Sequence, residues 1–144
     1  MKAITIHEPY ASLIIMGIKR FETRGWSTNL RGSLAIHAAR QEMTQEGKKV
    51  AEKYDITPQY GKVLGVVEII NCFKCQSDNL LSSSESRAQW IIGEESEEKE
   101  FGWFTVGRFA WQMKVLEKFE IPIPAKGQQR FWTWDKPRSP VMDI

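Results

Sequence analysis

Cysteine is scarce here: Cys72 and Cys75 are the only two in 144 residues, spaced as C-x-x-C. A redox pair wants that spacing at a helix start, where the dipole lowers a thiol pKa; here the pair ends a strand-like run. No second C-x-x-C exists to complete a zinc site, so two reduced cysteines are expected. Histidine is equally rare. His7 and His37 each close an apolar run, "TIH" and "AIH", which places both near one rim. With Glu22 they would make a metal set only if the fold gathered them, and no close H-x-x-H supports that, so hydrogen-bonding rim residues are expected, with no metal and no cofactor. Long hydrophobic runs are absent too. The longest, "ASLIIMGI", is far too short to span a bilayer, and Pro9 interrupts "MKAITIHEPY" before a signal-peptide core forms. The expectation is a cytoplasmic protein with no membrane association. Net charge is only +2, so no overall field announces nucleic acid, although local clustering decides steering more than the sum does.

What is present is an ordinary globular balance, 42% hydrophobic and 26% charged, which excludes a wholly disordered chain. At this length residues 1–144 read as one domain with a real core and no repeat or linker. "KAITIH" reads as a strand, and "PYASLIIMG" as a helix with Pro9 in its first turn and Gly17 just past its end. "KRFETR" is extended, and "GSLAIHA" is a further strand. Residues 41–54 form a polar amphipathic helix with Met43, Val50 and Ala51 inward. "GKVLGVVEIINCFKC" is the strongest strand signal, and the longest strand is expected at about residues 62–74. Residues 76–100 are polar and acidic, a mobile loop or short helix with Trp90, Ile91 and Ile92 docking locally. "GRFAWQMKVLEKF" puts Phe109, Trp111, Met113 and Val115 on one strand face, "IPIPAKGQQRFWTW" closes the domain, and "DKPRSPVMDI" is a tail. Several strands with two interspersed helices make an α+β fold around a closed or partly closed barrel.

The chemistry gathers in "GIKRFETR", residues 17–24. In an extended chain Arg20, Glu22 and Arg24 share one face and Lys19, Phe21 and Thr23 the other. A solvated edge strand with an Arg-Glu-Arg ladder explains that pattern as well as a binding site does. Glu68 adds weight to the site. It is the only charged residue in "LGVVEIINC", and a carboxylate buried there needs a cationic partner such as Lys19 or Arg24, or a raised pKa. A structural ion pair would satisfy the same demand. Trp26 follows the cluster directly and is placed to stack a base; of Trp103, Phe109 and Trp111, two are expected in the core.

Gly17, Lys19, Glu22 and Arg24 fit G-x-K-x-x-E-x-R, and on this motif the chain resembles the ASCH domain (activating signal cointegrator-1 homology) of the PUA-like superfamily. The resemblance extends through "IHEPYASLIIMGIKRFETRGW", "RGSLAIHAA", "GKVLGVVEIINC", "GRFAWQM" and "IPIPAKGQQRFWTW", in that order. It implies a PUA-like small β-barrel with flanking helices, and a cleft at the motif formed by Gly17, Lys19, Glu22, Arg24, Trp26 and Glu68. It also implies RNA-related roles: a partner that is RNA, a nucleotide or a modified nucleoside, with a nucleobase or short single strand held in the charged cleft. One bacterial branch resembles amidohydrolases that deacetylate N4-acetylcytidine with a Lys, a Thr and a Glu, and another member type is reported as a ribonuclease. By motif the Lys falls on Lys19 and the Glu on Glu68, while the Thr position carries Glu22. The enzymatic alternative is therefore a small hydrolase with Lys19, Glu22 and Glu68 as catalytic candidates. No activated nucleophile is evident, and low net charge favours a nucleotide or short strand over long RNA.

Overall fold

The computed structural model describes residues 1–76, 79–83, 88–93 and 96–137. Eleven elements follow one another among them: β1 (Lys2–Ile6), α1 (Tyr10–Ile15), β2 (Phe21–Arg24), β3 (Gly32–Ala38), α2 (Gln45–Lys53), β4 (Lys62–Cys75), β5 (Leu80–Ser82), β6 (Gln89–Ile91), α3 (Glu97–Phe101), β7 (Phe109–Pro124) and β8 (Trp132–Thr133). The strands form a mixed sheet in the order β2-β7-β4-β3-β1-β8, with β5 added to β4 and β6 to β5. Among the described residues only β1 and β3 run parallel, which the intervening α1 and β2 permit.

The α+β expectation holds, but the sheet does not close into a barrel. Closure needs a continuous ladder, and the two ends of this sheet are too short to supply one: β2 has four residues and β8 two. Helix α1 instead packs against the sheet. Its Ala11, Ile14 and Ile15 pack with Ile4 and Ile6 of β1, Leu34 and Ile36 of β3, Val67 and Ile69 of β4, and Trp111 and Met113 of β7. Gly17, at φ +79°, turns the chain out of α1 in a conformation that a β-carbon would strain. Among the described residues no helix is long and apolar enough to cross a membrane.

Three details depart from the sequence expectations. The longest strand is β7, with 16 residues, rather than β4, with 14. Helix α2 starts at Gln45 because Thr44 caps it, its side chain accepting from the Gly47 N–H at 3.0 Å; Val50 and Ala51 are buried, while Met43 lies outside the helix. The described parts of 76–100 are ordered into a β5–β6 hairpin and the start of α3. Trp90 packs edge-on to Phe21 at 5.5 Å and Ile92 is buried, but Ile91 is 71% exposed. Residues 138–144 of the expected tail lie outside the described residues, as do 77–78, 84–87 and 94–95.

Candidate functional site

Lys19 lies two residues before β2, so strand alternation does not govern it. Its side chain turns back along the chain and its ammonium donates to the Phe21 carbonyl. Glu22 Oε1 is 3.6 Å from the same ammonium. The other oxygen of Glu22 accepts from Arg24 Nε at 3.0 Å and lies 2.9 Å from Nη2. One carboxylate thus stands between two cations. Arg24 Nη2 also donates to the Thr5 carbonyl at 3.2 Å, so a side chain, not a ladder, joins β2 to β1. Lys19 is 2% exposed, and burial pushes its pKa down against the pull of Glu22 and Glu98.

Glu98 was not singled out in the sequence. It projects from α3 and is 2% exposed; its carboxylate accepts from the backbone N–H of Arg20 at 2.8 Å and of Phe21 at 3.3 Å. Burial raises its pKa, and those donors, Lys19 and Arg20 oppose the rise. The run "EESEEKE" hides it among equals; only Phe101, one helical turn on and buried, marks that face as inward.

Glu68 does not join this group. The register sets it opposite Ser33 and Lys114, both exposed, and among the described residues no cation lies within ion-pair distance of it. It is half-buried, so the sequence argument for a buried carboxylate in need of Lys19 or Arg24 loses its premise. The reason is β-bulges. Shifts in the β4–β7 pairing at Val63/Gly65, Val66/Val67 and Ile69/Asn71 break the period of two, so Glu68 and Cys72 lie on opposite faces. Trp26 packs edge-on to Trp111 at 4.7 Å and to Phe131 at 5.6 Å, with the Arg130 guanidinium 5.7 Å from its ring centre. Trp111 is fully buried and Phe109 packs against the same core, whereas Trp103 is 66% exposed.

Directly opposed residues in a sheet point the same way, so the register defines rows of side chains. One row runs Glu22–Trp111–Cys72 across β2, β7 and β4. The next runs Arg24–Phe109–Lys74–Ser82 across β2, β7, β4 and β5. Beside these rows opens a cavity of about 600 Å³, lined among others by Ser27, Thr28, Arg31, Lys74, Ser82 and Phe109. Neither Arg31 nor Lys74 was identified from the sequence, because nothing there shows that loop 27–31 and the end of β4 meet.

The ASCH domain family model matches residues 4–123. The chain belongs to the ASCH domain family. It is 29% identical to human (Homo sapiens) Activating signal cointegrator 1 over 144 residues, which cover 92% of this chain and 22% of that protein. The mouse (Mus musculus) protein of the same name is 30% identical over 146 residues, with the same coverage. The chain therefore spans about a fifth of the length of these curated relatives.

In this ASCH domain the closing segment 125–131 is anchored on His37, which is buried. Nε2 of His37 lies 2.8 Å from the Ala125 carbonyl; a carbonyl only accepts, so Nε2 carries the proton and Nδ1 accepts from the Thr5 hydroxyl at 3.1 Å. Burial lowers the His37 pKa. A β-carbon at Gly127 would sit 2.6 Å from Thr5 Oγ1, so only glycine lets this segment pass over the pair. Thr5 thus touches both ends of the site, Arg24 through its carbonyl and His37 through its hydroxyl. His7, by contrast, is exposed at the end of β1.

Proposed function

We propose that this ASCH domain binds RNA, taking a nucleobase or short single strand in the cleft where β2 ends. The observation that carries the reading is the Lys19–Glu22–Arg24 chain, which fixes a carboxylate between two cations and orients the half-buried Arg24 guanidinium, with Trp26 two residues on and Arg130 over its ring. Carboxylate oxygens accept from exocyclic amines and guanidinium N–H groups donate to base or phosphate oxygens. An aromatic face adjoining them supplies sequence-tolerant stacking. The likeness of ASCH domains to RNA-binding PUA domains supports the same conclusion. Gly17 serves this site by turning the chain from α1 toward Lys19, and Glu68 is left outside it by its facing.

The alternative, hydrolysis of a nucleoside amide or a phosphodiester by Lys19 and Glu68, asks the two groups to meet. Weighing against it are the pairing of Glu68 opposite Ser33 and Lys114, with no ion pair to Lys19, and the burial of the Lys19 ammonium under its own neighbours. A panel of nucleosides, including N4-acetylcytidine, and short RNAs tests both readings when binding and turnover are followed together. Binding should weaken by roughly fivefold or more in Trp26→Leu, the lower end of the value of one stacked base. It should weaken further in Arg24→Gln. Wild-type affinity in both variants would refute the cleft, and turnover lost in Lys19→Met would favour the hydrolase.

A further inference from the structure

We infer that the cavity beside β4 is a second nucleotide subsite, so that the ligand is a phosphodiester-linked strand of two or more nucleotides rather than a free nucleoside. This rests on the cleft reading above and extends it along the same sheet face. The row Arg24–Phe109–Lys74–Ser82 sets an aromatic ring between two cations and ends in a hydroxyl. Neighbouring strands are about 4.8 Å apart, so Arg24 and Lys74, two strands apart, stand roughly 10 Å from one another at the backbone. A single strand laid across the row meets positive charge, a stacking surface and positive charge again, the combination that binds single-stranded nucleic acid without base readout.

The cavity has the right size and lining. About 600 Å³ falls within the span of small-molecule sites. Hydroxyls of Ser27, Thr28 and Ser82 and the cations Arg31 and Lys74 line it, with half-buried Phe109 beside them. Arg31 is oriented by donating to the Thr28 and Leu30 carbonyls at 3.1 and 2.9 Å. Lys74 is exposed, and among the described residues it has no ion-pair partner. Ribose hydroxyls and phosphate oxygens match such a lining; an apolar ligand does not.

The test compares a cytidine nucleoside, a dinucleotide and a tetranucleotide RNA on the full chain, each at several salt concentrations. Wild type should bind the tetranucleotide at least about tenfold tighter than the nucleoside, as one added stacked base would give. Lys74→Gln should erase most of that gain and lower the salt slope by about 0.7, the share of one phosphate contact on a single strand. Nucleoside binding should be unchanged. Lys49→Gln, on the exposed face of α2, controls for net charge, and Phe109→Leu should reduce the gain while keeping the core filled. An undiminished gain and salt slope in Lys74→Gln would overturn the subsite, even with the cleft intact in Arg24→Gln and Trp26→Leu measurements. Tetranucleotide binding that depends on Lys74 but not on Arg24 or Trp26 would keep the cavity and refute the cleft. Failure of every RNA to bind would refute both.

Discussion

At Glu22 two buried or half-buried cations depend on one carboxylate, and the direction of that dependence is testable. Removing the charge of a buried partner leaves the other uncompensated, at about 3–5 kcal/mol. Glu22→Gln should therefore destabilise the fold by about that amount in urea unfolding. Lys19→Met should cost less, because Glu22 keeps Arg24 and the methionine fills the same volume. In the double variant the losses should fall short of their sum, the mark of a coupled pair. Glu68 offers the contrast. Facing Ser33 and Lys114, its replacement by Gln should shift stability by no more than about 0.5 kcal/mol and leave RNA binding unchanged. A Glu68→Gln protein that folds normally yet loses its ligand would return Glu68 to the site.

Helix α3 is five residues long and would not persist alone. It is held by what it buries. Phe101 joins Leu13 of α1 and Val50 of α2 in one cluster; Lys53 of α2 pairs with Glu100 at 3.0 Å; and Glu98 closes over the backbone before β2. The surface pair adds little. Replacing Glu98 by Ala leaves two backbone N–H groups without an acceptor, each worth about 1–3 kcal/mol when buried. The expected result is a loss of at least about 2 kcal/mol, with faster hydrogen exchange at the Arg20 and Phe21 amides. Unchanged protection at those amides would show that α3 does not clamp the motif. The acidic stretch that reads as a loop or short helix thus supplies the acceptor for the Arg20 and Phe21 amides, beside Lys19.

For the whole molecule, pH acts through His37. Burial favours its neutral form, so its folded pKa lies below the ordinary 6.5. The unfolded chain then takes up the proton first as pH falls. Stability from this residue is present above about pH 6.5 and declines below it, toward the folded pKa. Melting temperature should drop between pH 7 and pH 5, and the drop should shrink in His37→Gln, which keeps a donor for the Ala125 carbonyl. An equal drop in the variant would place the acid sensitivity elsewhere. Because His37 anchors segment 125–131, which carries Arg130 to Trp26, RNA affinity should weaken over the same range.

Local physics was legible in the residues themselves. Gly17 ends α1, β-branched residues make β4, "GSLAIHA" is β3, and Gly17, Lys19, Glu22 and Arg24 name the family and mark a charged cluster. These depend on conformational preference and short-range spacing, which a sequence carries directly. Long-range register is different. Bulges in β4 change which residues face inward without any signal of their own, so Glu68 reads as buried and is not. The groups gathered around the motif come from far along the chain: the Glu98 side chain to the Arg20 amide, the Thr5 carbonyl to Arg24, Lys74 to the row of Phe109. Only the tertiary fold brings them together, with short end strands that leave the sheet open and the Arg24 side chain joining β2 to β1.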